Sequence, residues 1–415
     1  LKTKETIAPS QPLNLFDKPT IFRSALQSAA TLQLPVALWR LPLQTENGNC
    51  HIAVDFSGKA NLVEADLDKL PAGFVVSPFV QENEKVHFIK ADFHYQTQVN
   101  ESFATCFDNV KDNFDVKEKF VAQLQSFLAN QQPYQSQQQF DKTQEIEISK
   151  AAYLKIVEQG IAEMQEGKFQ KVALSRTKYV SLQENTDLAL VFSNLCQLYP
   201  NAFIALISSL EFGTWLVASP EILISVDKNN IFRTIALAGT QPKGDLTNLQ
   251  EAMWRQKEIE EQALVSRYII NCFKKIRLRE YEEQGPKTVV AGNLMHLRTD
   301  FEVDTEAVNF PQLGTVMLKL LHPTSAVCGM PKPAAIDFIR THEPHHRKLY
   351  TGYLGQVNIN QETHIFVNLR CMEVFADKAI LYAGGGITKD SVPEREWNET
   401  ELKCKTIEKG LDKTD

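Results

Sequence analysis

The sequence has no apolar run long enough to cross a membrane. Its best candidate, Asn201 to Pro220, is broken by Glu211 and Gly213 and reads as two strands joined by a turn. There is no excess of positive charge. The formal balance is −7, which argues against a dedicated nucleic-acid binder. Small anionic ligands stay possible, because a local cluster of Arg, Lys and metal can override the net charge. Paired cysteines are missing too. The seven cysteines are scattered and form no Cys-x-x-Cys pair, so neither a disulfide framework nor a zinc site is indicated. A reducing cytoplasm is the expectation, and the first twenty residues carry no apolar stretch of the kind a secretory signal needs. What is present is ordinary. With 43% hydrophobic and 23% charged residues over 415 positions, the chain can bury a sizeable core in one large or two average domains.

Residues 1–20 are polar and read as frayed. Phe22 to Leu34 and Val116 to Leu128 read as helices, and Val36 to Leu43 and Gly73 to Val80 as strands. No chemical motif stands out in this half. A Gln-rich segment with one proline, Asn130 to Gln139, has little to bury and reads as an exposed connection. Ser149 is a good N-cap for a helix carrying Tyr153, Ile156, Val157, Ile161 and Met164 at helical spacing, with Gly167 to close it. The strand that follows, Lys171 to Arg176, puts Lys171, Ala173 and Ser175 on one face and Val172, Leu174 and Arg176 on the other. Lys171 therefore either snorkels at a strand end or points into a site. Glu221 follows a strand ending at Ser219, and Leu249 to Tyr281 reads as one long helix.

The last fifty residues concentrate the chemistry. Phe366 to Cys371 reads as a strand carrying Arg370. Ala379 to Ala383 reads as a second, ending in Gly384, Gly385 and Gly386. Pro393 opens a helix with Glu396 and Glu399 three apart, hence on one face, and Lys403 further on. Glu258 and Glu261 repeat that spacing on the long helix, although such a run is ordinarily a solvated surface. If the two helices meet, oxygen-only donors converge and favour a hard cation, Mg²⁺ above Zn²⁺. Arg370 can grip a carboxylate with two hydrogen bonds. The glycine amides either form a nest for a second carboxylate or are merely a tight turn leaving a strand.

Taken together, the ordered blocks resemble the chorismate-utilising enzymes, the family of isochorismate synthases, salicylate synthases, anthranilate synthase large subunits and aminodeoxychorismate synthases. The matching text is Lys171 to Arg176, Ser219-Pro220-Glu221, Ala236 to Thr240, Lys257-Glu258 with Glu261, and Leu321-His322-Pro323-Thr324 with Gly329 and Pro331. It continues through Arg347 with Tyr350 and Gly352, Arg370-Cys371, Tyr382-Ala383-Gly384, and Ser391 with Pro393, Glu396-Trp397, Glu399-Thr400 and Lys403. The likeness implies an α+β fold, one large unit with two large antiparallel sheets packed inside and helices outside. Residues 1–140 would be an N-terminal scaffold part of the same fold, and 145–411 the chorismate-binding catalytic region.

The resemblance also implies roles. Lys171 looks like the general base that activates water at carbon 2 of chorismate, and Glu221 like the acid that protonates the departing carbon 4 hydroxyl. Glu261 and Glu399 look like Mg²⁺ ligands, with Glu258 and Glu396 acting directly or through water. Tyr350, Arg370, Gly384, Gly385 and Lys403 look like carboxylate binders, and His296, Ala326 and Arg347 like pocket residues. Aminating members typically carry Thr where this chain has Ala326, and a different block where it has Tyr199 to Phe203. Both positions resemble isochorismate synthases, which add water. Gln262 and Ser325 depart from the more usual residues. The expectation is a monomeric cytoplasmic isochorismate synthase acting on chorismate with Mg²⁺, without nucleic-acid or membrane partners. It would serve menaquinone synthesis or a siderophore route, with menaquinone preferred because no siderophore cue is visible. The alternatives are a salicylate synthase and a catalytically silent chorismate-binding protein.

Overall fold

The computed structural model describes residues 17–412 apart from 43–47, 82–83, 98–102, 107–112, 131–146, 184–185, 244–248, 250–251 and 292–293. Nearly all of the Gln-rich connection and most of the polar N-terminus lie outside the described residues. Among these, the strands form two antiparallel sheets, one of ten strands and one of nine. The first runs in space Gly329–Met330, Lys171–Ser181, Lys378–Ile387, Cys371–Val374, Gly213–Ser219, Phe203–Ser209, Val36–Arg40, Cys50–Val54, Phe93–Gln96 and Phe103–Cys106. The second runs Glu282–Ala291, Leu294–Asp304, Ile231–Pro242, Ile222–Val226, Glu362–Val367, Tyr353–Ile359, Gly73–Ser77, Lys85–Lys90 and Asn61–Glu64. Strands from residues 36–106 thus extend both sheets, and the expected fold class holds.

Alternation in the strands explains the layering. Phe203, Ala205 and Ile207 face one way and Ile204 and Leu206 the other, and all five are buried. The first set joins Trp39, Phe74, Trp215, Phe366 and Tyr382 between the sheets. Phe203 stacks on Phe366 with ring centroids 4.1 Å apart, a pairing that adds about 0.5–1.5 kcal/mol beyond area burial. The Trp39 indole N–H donates to Gln356 Oε1 at 2.8 Å and ties one sheet to the other. Ile204 and Leu206 face outward, where helices Lys18–Thr31, Phe114–Asn130 and Leu188–Leu198 cover the first sheet. Helices Gln256–Lys275 and Leu313–Leu321 cover the second.

Helix ends follow local chemistry. Ser149 caps helix Lys150–Gln165 by accepting from the Ala152 amide at 3.3 Å, and Gly167 takes φ +81° just past its end. The long helix is shorter than the expected 249–281. It covers Gln256–Lys275 because Glu258 Oε2 accepts from the Arg255 amide at its start, and Arg277 turns to φ +60° beyond its end. Among the described residues no helix is long and apolar enough to cross a membrane.

Candidate active site

The chain crosses between the sheets at two places that lie side by side. Residues 219–222 leave the first sheet for the second, and residues 367–371 return. Ser219 Oγ donates to the Val367 carbonyl at 2.6 Å, the Val367 amide donates to the Glu221 carbonyl at 3.0 Å, and the Ala218 amide donates to the Arg370 carbonyl at 3.0 Å. Glu221 sits on one crossing and Arg370 on the other. This corrects the expected strand 366–371. Arg370 stands between two strands, in the left-handed region at φ +49°, a conformation that costs a non-glycine residue about 1–3 kcal/mol and clusters at functional positions. A cleft of about 970 Å³, open mouth included, lies beside this seam. Twelve of the fourteen expected site residues line it, Lys171 and Glu396 being set behind the wall.

Each sheet contributes one acidic helix. Glu258 and Glu261 stand on Gln256–Lys275, which covers the second sheet. Glu396 and Glu399 stand on Pro393–Glu408, whose Cys404 and Ile407 pack into the core beneath the first. Arg176, on the far face of its strand as expected, anchors the latter helix. Its guanidinium lies 3.9 Å over the Trp397 ring, donates to Thr400 Oγ1 at 2.6 Å and pairs with Glu401. Three carboxylates meet three lysines: Lys171 with Glu261 at 2.7 Å, Lys257 with Glu396 at 2.9 Å, and Lys403 with Glu399 at 2.7 Å. Lys171 is 1% exposed and paired with Glu261 of the cleft wall, so it does not snorkel. Burial works to raise the Glu261 carboxyl, but Lys171, Lys257 and Lys403 outweigh it and hold the group below its ordinary value.

Glu258 lines the cleft and also serves its own helix end. It is buried, not a solvated surface residue, and its Oε2 accepts from the Arg255 amide at 3.0 Å. Among the described residues no three acidic, histidine or cysteine side chains are arranged to hold a metal ion as they stand. The donor chemistry nonetheless fits a hard cation. Glu261, Glu396 and Glu399 offer only oxygen, and Glu396 Oε2 is buried without a hydrogen-bond partner among the described residues.

The glycines do not form an amide nest. They are extended, within strand Lys378–Ile387, paired with Ser175, Leu174 and Ala173. Their role is close approach. A Cβ on Gly386 would lie 2.8 Å from both Glu261 Oε1 and Lys171 Cε, and one on Gly384 would lie 2.4 Å from the Leu174 carbonyl and 2.9 Å from Tyr350 Oη. For Gly386 this close approach, and not an amide nest, is what the site uses. Gly384 serves through its carbonyl, which accepts from Lys403 Nζ at 2.7 Å.

Three groups face the cleft with unused capacity. Among the described residues the Arg370 guanidinium makes one hydrogen bond, to Thr406 Oγ1 at 3.2 Å, and burial lowers its pKa. His296 Nδ1 lies 2.9 Å from the Gly239 carbonyl, which can only accept, so Nδ1 carries the proton. Its Nε2 is then a buried acceptor without a partner among the described residues. Burial pushes this histidine down to about 4 and keeps it neutral. Glu221 is 8% exposed, and burial pushes its carboxyl up to about 7 against the opposing charges of Lys171, Arg370 and Lys403. Ala326 lines the wall with no polar atom to offer.

Arg347 lines the cleft, as a pocket residue should, with its donors already engaged. Its five N–H groups all have acceptors: Glu343 Oε1 and Oε2, the Val327 and Ala173 carbonyls, and Thr351 Oγ1. It braces the wall and has no donor left for a substrate carboxylate. Glu343 also accepts from the Ser175 amide at 2.7 Å and Ser175 Oγ at 3.0 Å, and His345 Nε2 lies 3.1 Å from that hydroxyl. The spacing of residues 342–347 gave no sign of this buried cluster. Arg347→Met is expected to strand the Glu343 carboxylate and cost about 3–5 kcal/mol of unfolding free energy, read by urea titration. The departure at Gln262 lies away from the substrate side. Its Nε2 donates to the Ala236 carbonyl at 3.1 Å and Thr299 Oγ1 at 2.9 Å, tying helix to sheet.

A fold of two sheets meeting at this seam, with acidic helices on both, defines a class. The chain belongs to the chorismate-binding enzyme family, whose model matches residues 77–412. Among curated relatives, a vibriobactin-specific isochorismate synthase of Vibrio cholerae is 29% identical over 245 residues, which cover 57% of this chain and 60% of that protein. The isochorismate synthase DhbC of Bacillus subtilis is 29% identical over 269 residues, covering 61% of this chain and 66% of that protein. The chain thus spans less than two thirds of the length of these relatives. The solved structure of MenF, the menaquinone-specific isochorismate synthase of Escherichia coli, shares the fold with a TM-score of 0.71 and 20% identity. It covers 96% of this chain and 92% of its own.

Proposed function

We propose that this protein is an isochorismate synthase that interconverts chorismate and isochorismate with Mg²⁺. The observation that carries the reading is Glu221, a buried carboxyl pushed up to about 7 in a cleft that also holds a buried lysine and unspent cationic donors. A carboxyl at that value is protonated in a large fraction of molecules near neutrality and can release its proton on demand. Lys171, as its free amine, takes a proton from water as the oxygen bonds to carbon 2. The ring double bonds shift, the bond from carbon 4 to its hydroxyl breaks, and Glu221 protonates that oxygen as it leaves. One water enters and one departs, so the net change is an isomerisation.

The other residues position the ring. Arg370, Tyr350 and Lys403 hold the carboxylates, and His296 Nε2 accepts from a ring hydroxyl. Ala326 leaves that wall without a donor for ammonia, as the branch comparison expects. Glu261, Glu396 and Glu399 would hold Mg²⁺, with Glu258 supporting the helix end from behind. Bound there, the ion would neutralise a substrate carboxylate. A monomer working in the cytoplasm belongs to the same proposal, supported by the family and by free buried thiols such as Cys50, Cys272 and Cys371.

Product analysis tests this. With chorismate and Mg²⁺ the purified protein is expected to form isochorismate alone, and exhaustive chelation is expected to stop it. Salicylate with pyruvate would assign the salicylate synthase reaction instead. Chorismate bound but unconverted would make the chain a binding protein.

A further inference from the structure

A second cavity, of about 800 Å³ with its mouth included, lies on the far side of Arg370 from the cleft. Only Pro220 and Arg370 line both spaces. Its walls are largely apolar: Leu198, Pro200, Ala202, Ala218 and Val290. Among the described residues no acidic side chain lines it, and Arg370 is the one cation. Among the described residues that guanidinium uses one of its five N–H groups, on Thr406, and so retains donors for a ligand on either side. The wall is preformed. Buried Arg40 donates to the carbonyls of Cys196, Tyr199, Pro200 and Ala202 at 3.3, 2.7, 3.1 and 2.7 Å, which locks the turn 196–202 in place. Tyr199 and Asn201 add polar groups on that turn.

We infer that this cavity binds a small aromatic monocarboxylate, its ring against the apolar wall and its carboxylate on the outer donors of Arg370. A flat apolar body with one negative charge matches a site that has one cation, no competing anion and few other polar groups. Because one guanidinium serves both spaces, an occupant draws Arg370 away from the cleft, and substrate binding weakens. The inference rests on the proposed function only for that last consequence; the binding itself does not depend on turnover.

Benzoate is the probe, titrated into the full-length protein by calorimetry and by saturation-transfer NMR. Binding is expected, with a rise in the apparent KM for chorismate and no change in kcat. Val290→Trp and Leu198→Trp fill the cavity from two walls, and neither residue touches the cleft. Each is expected to weaken benzoate at least tenfold while leaving KM and kcat without benzoate within twofold. Thermal unfolding checks that the variants fold, and either one alone suffices. No binding to the unaltered protein overturns the inference. Equal binding to the filled variants does so as well, because benzoate would then occupy the main cleft. If chorismate is not converted at all, the proposed reaction fails while the titration still decides the site.

Discussion

Lys171→Ala is expected to lower kcat by about 10²–10⁴-fold, the usual contribution of a positioned general base, while chorismate binding changes little. Lys171 is 1% exposed and reaches Glu261 at 2.7 Å, across a strand position where even a Cβ would collide with its Cε. Nothing else on its face of the strand can take a proton from water there: Ala173 has no polar group and Ser175 is committed to Glu343. The groups assigned to the substrate carboxylates, Arg370, Tyr350 and Lys403, stay in place in the variant, so affinity is retained. Lys171→Arg separates charge from base chemistry. It keeps a cation beside Glu261 but cannot give up its proton, so stability should recover and turnover should not. Steady-state kinetics with calorimetric binding reads both. Lys171→Ala within twofold of the unaltered enzyme would sink the assignment.

Glu221→Gln is expected to cost a similar factor and to remove one limb of the pH profile. The acid must hold its proton to release it. Burial pushes the Glu221 carboxyl up to about 7, so in the free enzyme it is mostly protonated below that value and ionised above it. The sign follows: kcat/KM falls as pH rises through about 7, tending to tenfold per unit well above it. Without burial the carboxyl would lose its proton near 4.3, and the fall would come about three units earlier. Glutamine keeps the size and the neutral polarity of the protonated acid, so folding and binding survive. Its residual activity should lack the limb. A profile unchanged in shape by Glu221→Gln would show that another group titrates there.

Much of this site was legible in the residues. Strand parity set Lys171 apart from Arg176, and the structure sends the first to Glu261 on the cleft wall and the second to Trp397. Three-residue spacing marked both glutamate pairs, and the resemblance supplied the fold that joins their helices. Other features were hidden for physical reasons. The apolar run Phe366 to Cys371 has the composition of one strand, but the chain leaves one sheet and enters another within it, a break fixed by packing between sheets. The three glycines carry turn chemistry in isolation. Only the strand beside them, with Lys171 pressing on Gly386, shows that their missing side chains matter more than their freedom. Glu343 and His345 lacked any recognisable spacing because their partner, Ser175, is 168 residues from one and 170 from the other.

The two crossings joined by Ser219, Val367, Glu221, Ala218 and Arg370 also bear on how such a protein can change over time. The proposed proton donor and the arginine proposed to grip the substrate ride on one welded joint, so a slip of one sheet against the other shifts both together and preserves their mutual spacing. A single inserted residue at either crossing would part them, whereas the surface loops are free to lengthen. The joint is therefore where this architecture tolerates least drift in length, and where a lineage exploring new substrates must work by exchanging side chains.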